Sequence, residues 1–356
     1  MFDDTQADEL LTGLVEQYSP STQERPAVTY LVEQMNALGF RAYIDGAGNA
    51  VGEMGHGGRP ILLLGHIDTV PGEIEVRRAA PDNSLLYGRG TVDAKGPLAT
   101  FVSAAARVGA QPDKQFIVVG AVEEEAATSK GARFLLDRLS PEAVVIGEPS
   151  GWNAITVGYK GRLLLDYTDT QPIGHTAGPQ TSICEPAVDF WHHVASYGAS
   201  YNADRPRMFD QLLPSLRSIN SQSDGFVESV AMTIGFRLPP GIDIDRLQDT
   251  LIEIAPDAQI HFRGRETAFR GSRSTPLARA FVKAIHSEEP GTTQQRTPFK
   301  VKSGTSDMNV VGPVWNCPIL AYGPGDATLD HTPNEHIDLN EYHKAICVLA
   351  SVLITL

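Results

Sequence analysis

The sequence predicts an α/β fold: a mixed sheet with helices, interrupted by an inserted α+β unit. Short continuous apolar runs, 61–64, 115–122 and 143–146, read as strands buried on both faces. Helical stretches, 98–108 and 130–139, follow the first and second of them along the chain. From Tyr159 the pattern changes to alternation with its own helices, and from about residue 270 the first pattern resumes. The expected boundaries are 1–158 with 270–356 for the main domain and 159–269 for the insertion.

Taken in order, Leu10, Leu11, Leu14 and Val15 lie at helical spacing, and Ser19-Pro20-Ser21 ends that helix. A second helix runs over 24–38 and stops at Gly39. Residues 40–44 and 50–54 form a hairpin around Asp45-Gly46-Ala47-Gly48-Asn49. The core strand 61–64 then leads into Gly65-His66-Ile67-Asp68. Positions i and i+2 of an extended chain share a side, so His66 and Asp68 stand together at a strand's C-terminal end. Open α/β sheets bind their ligands there. Residues 88–96, Gly-Arg-Gly-Thr-Val-Asp-Ala-Lys-Gly, lack phosphate-loop spacing and place Asp93 on a Gly-rich turn before a helix over 98–108. The strand 115–122 ends in Glu123-Glu124-Glu125, with a helix expected over 130–139, and the strand 143–146 ends in Gly147-Glu148.

In the insertion, 161–168 alternates, helices are expected over 186–197 and 244–254, and strands over 227–238 and 258–262. It carries His175, in Gly174-His175-Thr176-Ala177, and Arg237. Beyond it come a helix over 276–286, the turn Gly304-Thr305-Ser306, a strand over 317–322, the run His331-Thr332-Pro333-Asn334-Glu335, and a closing helix over 338–354.

The 356 residues are 42% apolar, with a formal net charge of −14. That balance argues against a nucleic-acid partner, which calls for clustered Lys and Arg. There is no apolar run of membrane-spanning length and no basic-then-apolar leader. Cys184, Cys317 and Cys347 are widely spaced, which points to buried thiols in a reducing cytoplasm.

His66, Asp68, Asp93, Glu124, Glu125, Glu148 and His331 are thus gathered at strand ends. Imidazoles with carboxylates suit zinc, cobalt or manganese. Five ligands with one bridging carboxylate suffice for two ions, and a neighbouring carboxylate would serve as proton carrier in amide hydrolysis.

Five segments, GHIDTV (65–70), GRGTVDAKG (88–96), VEEE (122–125), GEPS (147–150) and HTPNE (331–335), resemble in order the M20 family of two-zinc aminoacylases, deacylases and carboxypeptidases. The resemblance covers essentially the whole chain. It implies a zinc-hydrolase catalytic domain with an inserted lid that forms a homodimer, and two divalent ions per chain, zinc or alternatively cobalt. It implies metal ligation by His66, Asp93 (bridging), Glu125, Glu148 and His331, and a supporting catalytic role for Asp68. Glu124 is implied as general base, with Glu123 as base if the register slips by one. It also implies substrate binding by His175, Arg237 and the Gly304 turn. His192 and His193 match no motif and read as structural.

Residues 123–133 and 147–163 look most like one branch of the family, which releases lysine or ornithine from the C-terminal glutamate of an amino-group carrier protein. Lys130, Arg133, Lys160 and Arg162 are then candidates for docking that carrier. Two other readings remain open. One is a deacylase of N-acetylornithine or succinyl-diaminopimelate. The other is a non-catalytic binding protein on the same scaffold.

Overall fold

The computed structural model describes residues 2–79, 82–175, 178, 181–288 and 297–356. The chain forms two compact units. One holds residues 1–158, 271–301 and 306–356; the other holds 159–270 together with 302–305.

The first unit is built on a mixed sheet. The strand Ile61–His66 lies between Gln115–Ala121 and Ala143–Gly147 and runs parallel to both. Ile319–Tyr322 adds in parallel beyond Ala143–Gly147. The edges are antiparallel: Ala50–Gly55 and Arg41–Ile44 on one side, Ile155–Tyr159 on the other. The three central strands are buried almost throughout, as continuous apolar runs require.

Three glycines stand side by side across these strands, Gly120, Gly65 and Gly147 in register. A Cβ on Gly65 would come within 3.3 Å of Leu98, and one on Gly147 within 3.0 Å of Phe101. The row therefore lets the helix Lys95–Val108 approach the sheet closely. Asp93, two residues ahead of that helix, is carried to the strand ends. A short ladder, Leu85–Tyr87 paired with His336–Asp338, sets the loop holding His331 beside the turn holding Asp93.

The second unit is a four-stranded antiparallel sheet, Leu213–Ser223, Val227–Leu238, Gly161–Pro172 and Gln259–Glu266 in spatial order. The helices Cys184–Asn202 and Ile244–Ile254 belong to it. Its separate core includes Leu163, Leu165, Phe190, Val194, Ile234 and Leu251. The strand Leu213–Ser223 was not expected. Most of it is exposed, so it has no buried-face alternation to read. Conversely, the helix expected over 130–139 ends as Lys130–Leu135 and continues as turns. Thr176 and Ala177 of the His175 turn lie outside the described residues. Among the described residues no helix is long and apolar enough to cross a membrane.

Candidate metal centre

Neighbouring parallel strands deliver the donors. His66 ends its strand, Glu124 and Glu125 follow Gln115–Ala121, and Glu148 directly follows Ala143–Gly147. Asp93 joins from the helix side and His331 from the ladder loop. Asp93 stands between two imidazoles: its Oδ1 is 3.1 Å from His66 Nε2, and its Oδ2 is 3.0 Å from His331 Nε2. His331 Nε2 is also 2.8 Å from Glu125 Oε1.

Two donor groups follow, His66 with Asp93 and Glu148, and Asp93 with Glu125 and His331. Within each, one ligand atom per residue lies within 4.8 Å of the others. Asp93 is common to both. His66, Glu124 and Glu125 make a third such group. His66 Nδ1 lies 2.9 Å from the Asp68 carbonyl, an arrangement that leaves the Nε2 lone pair facing the carboxylates. This donor set fits divalent metal ions.

The charges are tightly balanced. Burial alone would lower the His66 pKa, but Asp68 and Asp93 hold it well above its usual value. Hydrogen bonds to Asp93 and Glu125 push His331 up to about 10. Burial would raise Asp93, yet its two imidazole partners hold it far below the usual carboxylate range. Glu124 is pushed well above that range by burial, opposed by His66 and reinforced by Asp307, Glu148 and Glu125.

Asp68 acts on the backbone. Its Oδ1 accepts the Glu124 N–H at 3.0 Å, and its Oδ2 accepts the Glu125 N–H at 3.0 Å and the Ser21 hydroxyl at 2.7 Å. Burial works against its charge, but His66, Ser21 and the Glu124 N–H hold its pKa below the usual value. An ionised Asp68 therefore fixes the turn on which Glu124 and Glu125 sit. Glu123 is occupied elsewhere: its carboxylate accepts from Thr128 Oγ1 at 2.8 Å and from Lys130 Nζ at 3.2 Å.

Some contributors carried no sequence signal of their own. Glu335, the last residue of the HTPNE segment, is fully buried. It accepts from the Val92 and Asp93 N–H groups at 2.9 and 3.1 Å, and from Arg89 Nη1 at 2.8 Å. Asp307, at the head of the helix Asp307–Val311, adds negative charge near Glu124.

The expected substrate-binding residues all belong to the second unit. His175 is exposed. Arg237 is half-buried on Val227–Leu238, and its Nη1 lies 3.4 Å from Thr305 Oγ1, beside Gly304. Of the docking candidates Lys160 needs correction: it is buried and donates to the carbonyls of Met208, Phe209 and Gln211. Lys130 is exposed and paired with Glu123.

A family model for peptidase family M20/M25/M40 matches residues 62–355, and the chain belongs to that family of hydrolases. Among its relatives, a LysW-lysine hydrolase of Deinococcus radiodurans is 42% identical over 357 residues, covering 98% of this chain and 96% of the relative. A LysW-lysine/LysW-ornithine hydrolase of Saccharolobus islandicus is 29% identical over 345 residues, covering 96% and 93%. Among solved structures, an M20 metallo-carboxypeptidase from Sulfolobus solfataricus aligns with a TM-score of 0.77 at 17% identity, over 98% of both chains. A dinuclear metal-binding M20 peptidase from Bacillus subtilis aligns with a TM-score of 0.69 at 11% identity, over 99% of this chain and 97% of that one. At such identities the structures establish the shared fold.

Proposed function

We propose that this chain is a two-metal amide hydrolase that releases lysine or ornithine from the C-terminal glutamate of an amino-group carrier protein. The substrate follows the relatives, which are named for LysW conjugates of those amino acids. The chemistry rests on one observation: Asp93 offers an oxygen to each of two histidines, at 3.1 and 3.0 Å.

His66, Glu148 and Asp93 would hold one ion, and Asp93, Glu125 and His331 the other. Two such ions, zinc or cobalt, supply Lewis acidity and a more acidic water. Glu124 takes the proton of the attacking water and delivers it to the leaving α-amino nitrogen, as the amide C–N bond breaks and the glutamyl carboxylate is restored. Its burial among carboxylates raises its proton affinity toward the working pH. The engagement of Glu123 with Thr128 and Lys130 supports Glu124 as the base. Asp68 orients.

Residues 1–158 and 270–356 act as the catalytic domain, and 159–269 as a lid through which two copies pair. His175 donates to the developing oxyanion, Arg237 binds a substrate carboxylate, and the Gly304 turn cradles the substrate with backbone N–H groups. The three free thiols accord with a cytoplasmic protein.

The test is to assay zinc-reconstituted protein on a lysine-loaded carrier and on N-acetylornithine side by side. Lysine release with little acetate supports the reading. The reverse moves the protein to the small-molecule deacylases. Inactivity on both substrates favours a binding protein.

A further inference from the structure

In the second unit three arginines crowd one face of the sheet, with Glu266 across from one of them, Arg162. Arg162 and Arg237 are direct cross-strand partners, so they share a face of the sheet. Arg217 occupies the register break between Leu216 and Ser218. Its side chain lies across Gly235, where an added Cβ would overlap Arg217 Nε. Gly235 and Arg237 are two residues apart on one strand, so the third guanidinium is turned to the same face.

This crowding is unfavourable by itself. Burial, with Arg217 and Arg162 nearby, pushes the Arg237 pKa below its ordinary value. Arg162 Nε is shut away from solvent with no hydrogen-bond partner. Elsewhere on the same unit Arg263 is paired with Asp166, and Arg265 with Asp245. Among the described residues Arg162, Arg217 and Arg237 form no such pair. Three guanidiniums crowded on one face, with a single carboxylate across from one of them, are suited to an anion supplied by a ligand. Each guanidinium is a planar fork that matches a carboxylate, and three forks exceed the need of one.

We propose that Arg162, Arg217 and Arg237 form one anion site for a substrate bearing two carboxylates, and that this site selects the carrier conjugate. The inference rests on the reading of the preceding subsection. In that reaction both partners of the scissile amide carry a free carboxylate, one on the released amino acid and one on the glutamyl residue. N-acetylornithine carries only one. Arg162 and Arg217 are thereby specificity determinants acting with Arg237.

The probes are N-acetyl-γ-glutamyl-lysine and the same compound with its glutamyl α-carboxylate converted to the carboxamide. Each is titrated calorimetrically into zinc-loaded protein carrying Glu124→Gln, so that turnover does not intrude. The titrations are repeated with Arg217→Met and Arg162→Met added separately. The expected result is about 10–100-fold tighter binding of the dicarboxylate, the scale of charge-assisted hydrogen bonds. Each arginine change removes most of that preference and leaves carboxamide affinity nearly unchanged. Arg217 is exposed, so its variant keeps the test sound if Arg162→Met fails to fold. Equal affinity for the two probes, or a preference that survives both changes, overturns the proposal. Lysine release from the loaded carrier by the parent enzyme is measured in parallel. Its absence defeats the hydrolase reading, whereas release without carboxylate discrimination defeats only the arginine site.

Discussion

The buried Glu335 carboxylate accepts a hydrogen bond from the backbone N–H of Asp93 at 3.1 Å. His331 and Asp93 sit on different loops, and Glu335, four residues after His331, ties those loops together. Arg89, itself buried, closes the network on Glu335 at 2.8 Å. Removing the carboxylate with Glu335→Ala leaves a buried guanidinium and two N–H groups unpaired, and lowers stability by roughly 3–5 kcal/mol. Glu335→Gln keeps the shape but weakens the hold on Asp93. Its zinc affinity, measured by chelator competition, falls about 10–100-fold.

Glu124 is predicted to move protons without being needed for metal retention. Glu124→Gln lowers kcat by about 10²–10⁴-fold, the usual worth of general acid–base catalysis. Metal content, measured by elemental analysis, stays at the parent value. Glu123→Gln leaves kcat within a few-fold of the parent.

The metal-free protein responds to pH through His331. Its pKa is raised from 6.5 to about 10 by Asp93 and Glu125. A raised folded-state value means stability that is complete below about pH 6.5 and disappears as pH climbs to about 10. The Tm advantage of metal-free parent over metal-free His331→Asn therefore shrinks across that window. Zinc must displace the same proton, so zinc affinity rises over the same range.

Lys160 is predicted to be structural. Its ammonium caps the carbonyls of Met208, Phe209 and Gln211. Lys160→Met leaves them without this donor and lowers the stability of the second unit by about 1–3 kcal/mol, read by denaturant unfolding.

His66, Glu125 and Glu148 were legible because each sits where a buried strand must end. Continuous apolar runs are easily read, and a carboxylate directly after one stands out. What was not legible depends on partners far along the chain. Glu335 is one acid among many until the Leu85–Tyr87 ladder brings it to Asp93. Lys160 looks like any surface lysine until a turn some fifty residues on supplies carbonyls for it. The strand Leu213–Ser223 is paired along only one side and mostly exposed, so its composition carries no period. Arg217 gains its direction from a bulge, which no local pattern announces.

The central claim is that Asp93 is shared between two metal sites. Anomalous diffraction from crystals of the zinc-reconstituted protein tests it most directly. The account predicts two peaks roughly 3.5–4 Å apart, one bounded by His66 and Glu148, the other by Glu125 and His331, with Asp93 touching both. A single peak, or two peaks that do not share Asp93, would contradict it.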